Sequence, residues 1–350
     1  MINLADHPWM SGVFGDPDIA ALFSPDAELK RFLKVEAAWA RALGEVEAHP
    51  ATQGIADAIL GSQITASDLA QGYARDGVPI PALVTSVKAE LGEDASRLLH
   101  RSLTSQDVMD TSLCLALREA VSVLVQRLET LNMSLAGLHD RMGAAKIVAI
   151  TRMQPALPTD VGHVIGLWRQ PIAGLLGSSA EIVGNVSVIQ WGGPIGRRDH
   201  PRADALGQAF AQHLDLEDPG YAWHTDRSRV LEFGVLLARI CNATGKIGED
   251  VALLAALGAD YVVFDGGGSS AMPHKNNPVT AEALVALSDY AATLSGSLVR
   301  AGRHEGARSG RAWTLEGMVL PQLTQVTGAS LLNAVKVVES ITRLGADDPR

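Results

Sequence analysis

A chain of 350 residues, 47% of them apolar and only 5% aromatic, can bury a large core, and its surplus of Ala, Leu, Val and Gly favours closely packed long helices over sheet sandwiches. The formal net charge is −10 and no Lys/Arg run or basic stripe breaks the acidic balance, which argues against nucleic acid or another polyanion as partner. A small anionic substrate remains compatible with it, because a few convergent cations can make a positive pocket inside an acidic protein.

The N-terminal stretch MINLADHPWMSGVFGD has neither the basic start nor the apolar run of a signal peptide. The longest apolar run, VALLAALGADYVVF, is short and is interrupted by Gly258 and Asp260, so no membrane span is expected and the cytoplasm is the predicted compartment. Residues 1–98 read as a smaller helical domain, with helices near 26–48 and 65–74 and a further short helix after Pro79 and Pro81.

Residues 99–345 read as a bundle of long helices. Leu117, Val121, Leu124, Leu128, Leu131, Leu135, Leu138 and Met142 recur in steps of four and three, the seam of one helix of about seven turns. A second track runs through Val230, Phe233, Leu237, Ile240, Thr244, Ile247, Val251 and Leu254, and weaker ones cover 160–190, 278–300 and 315–343. The fold class is therefore all-α, with five long helices that support one another side by side. Cys114 and Cys241 fall inside apolar helical patterns without metal-ligand spacing and read as core residues.

Turn formers gather between the tracks: Gly143, Pro155 and Pro158; WGGPIGRRDHP at 191–201; DPG at 218–220; and GGGSSAMPHKNNPV at 266–279. Chemistry is thus expected at helix ends. The last stretch could be a nucleotide cradle following the strand-like YVVF. However, Tyr261–Phe264 reads as a continuation of the helical pattern, prolines fall where the phosphate-binding helix would start, and Asn276 stands where a P-loop needs Ser or Thr. An interhelical linker is the plainer alternative. Thr104-Ser105-Gln106-Asp107 is a good helix start, and hydroxyls and free amides at such a start also bind carboxylates.

Gly268-Ser-Ser-Ala-Met-Pro-His-Lys-Asn-Asn277 matches, position by position, the G-S-S-x-M-P-x-K-x-N motif of the fumarase/aspartase superfamily, which the chain therefore resembles. The resemblance implies a homotetramer on a core of twenty long helices, five per chain, with active sites that each collect segments from three subunits and use no cofactor or metal. It makes Ser269 the proton-transfer residue, and Lys275 and Asn277 the groups that hold a substrate carboxylate and its enolate form. A second family segment, H-x-G-x-T-S-x-D, is present from His100 to Asp107 with Ser102 in place of the usual glycine, which implies substrate contacts for His100, Thr104 and Ser105.

The third segment departs from the pattern. Fumarases and amine lyases carry T-H-x-Q, whose histidine works with a glutamate matched here by Glu282; this chain has Thr151-Arg152-Met153-Gln154. A guanidinium, with a pKa above about 12, is no proton donor at neutral pH. Hydroxide and amines need such a donor to leave, whereas a carboxylate, conjugate base of an acid with pKa near about 4, comes and goes unaided. Arg152 thus points to a carboxylate nucleophile or leaving group and can itself grip a carboxylate. Residues 100–111, Ile80–Val84, Trp223-His224-Thr225 and the stretch from His304 to Trp313 resemble the 3-carboxy-cis,cis-muconate cycloisomerase branch of the superfamily. This implies lactonisation of a small tricarboxylate, with Arg308 as the carboxylate-binding arginine and Arg303 as the fallback. The competing expectations are an amine lyase of the adenylosuccinate lyase type and an inactive structural oligomer. Relatives usually continue into a third, C-terminal helical domain where this sequence ends at GADDPR.

Overall fold

The computed structural model describes residues 7–49, 52–92, 96–268, 272 and 275–346. Two short helices, α1 (Ser11–Phe14) and α2 (Pro17–Leu22), lead into α3 (Pro25–Glu47), α4 (Thr52–Leu60), α5 (Ala70–Asp76) and α6 (Ile80–Glu90). The bundle follows as α7 (Ser105–Met142), α8 (Val161–Val186), α10 (Ser228–Leu257), α11 (Val279–Ala301) and α12 (Gly310–Ser340), with α9 (Ala203–Leu214) inserted between its second and third members. Two antiparallel ribbons complete the chain: β1 (Lys146–Thr151) with β2 (Gln154–Asp160), and β3 (Val262–Phe264) with β4 (Ile341–Leu344). The all-α class and the five long helices expected from the periodicity are present, and the Leu117–Met142 seam extends N-terminally to Ser105.

The seam residues Leu117, Val121, Leu124, Leu128, Leu131, Leu135 and Leu138 are all buried, because a repeat of three and four keeps one face of α7 turned toward its neighbours. Helices α10, α11 and α12 pack on one another most extensively. Glycines set the closest approach: a Cβ on Gly248 of α10 would lie 2.6 Å from the Ala281 carbonyl of α11. Cys114 and Cys241 are buried free thiols, pushed by burial up to about 12 and about 11, so neither is a nucleophile at neutral pH.

A second core is discontinuous in sequence. It joins α3 and α6 to Ile189, Trp191 and the buried face of α9, with Trp39 tilted at 52° against Trp191 at 5.0 Å and edge-on to Phe210 at 5.1 Å. Two local expectations are corrected. Tyr261–Phe264 is not a continuation of α10: Gly258, at φ 109°, ends that helix, and Val262–Phe264 forms β3 against β4. Pro155 and Pro158 do not make a turn; they lie in β2, where a two-stranded ribbon leaves one side of the strand unpaired and tolerates a missing N–H.

Candidate active site

The residues named from sequence fall at two opposite ends of the bundle. At the first end, Thr104 caps α7 with extended backbone, and its N–H donates to Asp107 Oδ2 at 2.9 Å. Asp107 is fully buried and accepts three further bonds, from the amides of Gly192 and Gly193 at 2.9 Å each and from His224 Nε2 at 2.7 Å. One carboxylate therefore ties the helix start to the WGGPIG loop. Burial raises its pKa, against the pull of His224 and the backbone amides.

Arg308 closes over this junction. Its Nη1 donates to Thr104 Oγ1 at 2.7 Å and its Nη2 to the Pro194 carbonyl at 3.1 Å. Arg303, the alternative, pairs through its backbone with Asp226 and accepts from Arg311 at its carbonyl, and its guanidinium makes no hydrogen bond to this junction among the described residues. His100 is held from α3: its ring Nδ1 lies 2.6 Å from Glu36 Oε1, and its N–H donates to Oε2 of the same carboxylate. Both His100 and Ser102 have left-handed backbone, φ 57° and 64°. This explains why a glycine suits position 102 in the superfamily pattern, since glycine adopts that region without a Cβ clash.

Beneath Thr104 and Arg308 lies a buried ion network that sequence reasoning missed. Arg227 makes paired bonds to Asp110 (2.7 and 3.1 Å) and to Glu316 (2.9 and 2.5 Å). Burial opposes the charge on Arg227, but the two carboxylates more than offset it and hold its pKa above the ordinary arginine value. Nearby, both ring nitrogens of His304 are buried without a partner among the described residues, as are Nε of Arg308 and Nδ1 of His224. Burial, then the field of Arg227, lowers the pKa of His304 and favours the neutral ring. Unused donors and acceptors so close to a carboxylate-sized cation are what a polar ligand requires. The sequence signals were Arg227, next to Trp223-His224-Thr225, His304, at the start of its own stretch, and Asp110, inside the 100–111 segment but given no role there; Glu316 stands at a helical position with no distinguishing motif.

The second end carries the other named residues on slender supports. Arg152 and Met153 form the two-residue tip of the β1–β2 hairpin, both left-handed at φ 50° and 65°, and both exposed. Such a turn favours Asn-Gly, so an Arg-Met pair there keeps strain that nothing in the ribbon requires. Thr151 and Gln154 pair across the base of the tip. The glycine loop is closed by reciprocal backbone bonds between Gly267 and Asn277 (2.9 and 2.7 Å), and Asn276 Nδ2 donates to the Phe264 carbonyl at 2.5 Å. Lys275 is exposed, and so is Glu282 in the first turn of α11. Ser269 lies outside the described residues.

Helix α11, with 23 residues, runs from the glycine loop to the segment bearing His304 and Arg308, which separates Lys275 from Arg308 by roughly 30 Å within one chain. Helix α7 likewise sets the base of the Arg152 hairpin about 57 Å from Thr104. The structure brings His100, Thr104, Ser105 and Arg308 together; it does not bring Lys275, Asn277, Arg152 or Glu282 to them.

An all-α bundle of five long helices, with an arginine and hydroxyls gathered at a helix start and a glycine-rich loop at the far end, is the architecture of the fumarase/aspartase lyases. A lyase family model matches residues 18–290, and the chain belongs to that family. It is 32% identical to the 3-carboxy-cis,cis-muconate cycloisomerase of Pseudomonas aeruginosa, over 92% of this chain and 72% of that protein. It is also 27% identical to an N-acetyl-S-(2-succino)cysteine lyase of Dickeya dadantii, over 97% of this chain and 76% of that one. The crystal structure of 3-carboxy-cis,cis-muconate lactonizing enzyme from Pseudomonas putida superposes with a TM-score of 0.89 at 28% identity, covering 97% of this chain and 77% of that chain.

Proposed function

We propose that the chain is a cycloisomerase that converts 3-carboxy-cis,cis-muconate to 4-carboxymuconolactone, acting as a homotetramer with sites shared between subunits. The observation that carries the reading is Arg152, exposed at the hairpin tip in the position of the superfamily's acid histidine. The likeness to cycloisomerases supports it. In this reaction a substrate carboxylate adds to the molecule's own double bond: one C–O bond forms, the alkene π pair moves toward the neighbouring carboxylate, and a proton is added at the α-carbon. No proton donor is needed at the oxygen that moves.

Lys275 and Asn277, with the Thr104/Ser105 helix start, hold the developing aci-carboxylate, and Ser269 delivers the proton to carbon. Arg308 and Arg152 each take one of the remaining carboxylates through a planar fork. Two features support the tetramer: the separation of these groups within one chain, and apolar side chains left in solvent along the long helices, among them Met133 (65% exposed), Val235 (56%) and Val299 (65%).

The test is ultraviolet absorbance with product analysis. On adding 3-carboxy-cis,cis-muconate, the conjugated diene should disappear as lactone forms, and Ser269→Ala should abolish turnover while leaving binding largely intact; turnover by the Ser269→Ala protein would contradict the assignment. A second reading is favoured by the Dickeya relative. A thiolate, conjugate base of an acid with pKa near about 8.5, also leaves without a strong acid, so Arg152 is compatible with elimination from a succinyl thioether. Release of fumarate from such a thioether, with the muconate untouched, would establish it. An amine lyase lacks this support, because its leaving group needs the proton that Arg152 does not give.

A further inference from the structure

A cavity of about 400 Å³ opens between the N-terminal helices and the bundle; of the residues described at the Thr104 end, Asp110 and Glu316 line it, and both are already paired with Arg227. Its walls come from α3, α5, α7 and α12, and they are mainly apolar: Phe23, Phe32, Leu69, Met109, Leu113 and Trp313. One cation reaches into it. Arg31 of α3 is mostly buried, its Nε donates to Ser112 Oγ at 3.3 Å, and neither terminal nitrogen makes a hydrogen bond or salt bridge to a described residue.

Glu28, one turn earlier on α3, also lines the cavity without coming into salt-bridge contact with Arg31. Burial raises its pKa and so weakens, without removing, the charge that opposes an anion there. A half-used guanidinium fork at the side of an apolar chamber is complementary to one kind of molecule: a flat, mostly apolar body with a single carboxylate.

We propose that this cavity is a binding site for small aromatic monocarboxylates, separate from the catalytic site, with the carboxylate seated on the free edge of Arg31 and the ring among Phe32, Met109, Leu113 and Trp313. The size of the chamber suits a one-ring acid, and a tricarboxylate does not fit its chemistry, since Arg31 is the one cation in a lining that also carries Glu28, Asp110 and Glu316. The proposal is independent of the reaction assigned to the enzyme, because none of the side chains proposed to hold that substrate lines the cavity.

The probe is benzoate, with benzamide as its neutral isostere, titrated calorimetrically into the intact protein. Benzoate is expected to bind one per chain with a Kd of about 1 mM or tighter, the range open to so small a ligand, and benzamide at least about tenfold more weakly. Arg31→Gln should lose the preference for benzoate, and Glu28→Gln, which removes the opposing charge, should strengthen benzoate binding. These opposite signs are not what a general loss of packing gives. Should Arg31→Gln fail to fold, Arg31→Lys keeps the charge without the fork and is expected to bind benzoate more weakly but still in preference to benzamide. Equal binding of benzoate and benzamide, benzoate binding unchanged in Arg31→Gln, or no benzoate binding by the wild-type protein would each overturn the proposal.

Discussion

The two ends of the bundle are built on different principles. At the Thr104 end, charged groups are anchored inside one chain: Asp107 accepts four hydrogen bonds, and Arg227 is clamped between Asp110 and Glu316 with all three side chains buried. At the glycine-loop end, Arg152 and Lys275 stand exposed on a hairpin tip and on a loop closed by one backbone pair. The first end is rigid before any ligand arrives. The second presents its polar groups outward, where the proposed assembly would set a neighbouring chain against them. The buried charge network that should stabilise the chain lies at one end only, and substitutions should separate its contribution from that of the exposed groups at the other.

The largest effect is expected at Arg227. Arg227→Met leaves Asp110 and Glu316 buried without a counter-charge and should cost about 3–5 kcal/mol, read from the denaturant midpoint at unchanged slope. Should the loss be under about 1 kcal/mol, the Thr104 end would not be the anchored one. Arg152→Asn tests the other end. Asparagine accepts the left-handed turn, so stability should hold or rise, while kcat/KM falls by about 10- to 100-fold through loss of one charge-assisted carboxylate contact. A parallel fall in stability would show that Arg152 serves the ribbon and not the substrate.

Smaller changes refine the picture of the Thr104 end. Ser102→Gly relieves a left-handed backbone and should stabilise by up to about 1 kcal/mol, measured by the shift in thermal midpoint. His304 gives the smallest signal, in pH dependence. Its folded pKa lies below the ordinary value, so the unfolded chain takes up the proton first, and stability falls as pH drops through about 6.5 toward the folded pKa. Removing the ring in His304→Gln should flatten that acid-side slope; an unchanged slope would place the titration elsewhere.

What was legible in the sequence follows from what periodicity and motifs encode. The Leu117–Met142 seam and the 230–254 track announced α7 and α10 because each buries a continuous stripe. Helix α9 was passed over although Leu206, Phe210, Ala211 and Leu214 have helical spacing, since the turn signals at 191–201 and 218–220 drew its borders as a loop. The β1–β2 ribbon was hidden by Pro155 and Pro158, and β3 by its continuity with an apolar helix. Motif likeness singled out Thr104, Arg308, Lys275 and Asn277. The 100–111 likeness contains Asp110 but no partner for it, and Glu316 lies in no motif; the two meet Arg227 only through packing of α7, α10 and α12. Nor does any sequence pattern state that Lys275 and Arg308 are roughly 30 Å apart in one chain.

That distance supplies the most direct test of whether the site is assembled from different copies. Lys275→Ala and Arg308→Ala proteins, each inactive alone, should regain activity when mixed and allowed to exchange subunits, to about a quarter of the wild-type value for random assembly of sites drawing one segment from each of two chains. A mixture that exchanges subunits, as shown by mass spectrometry of the intact assembly, yet stays as inactive as its parents would contradict it.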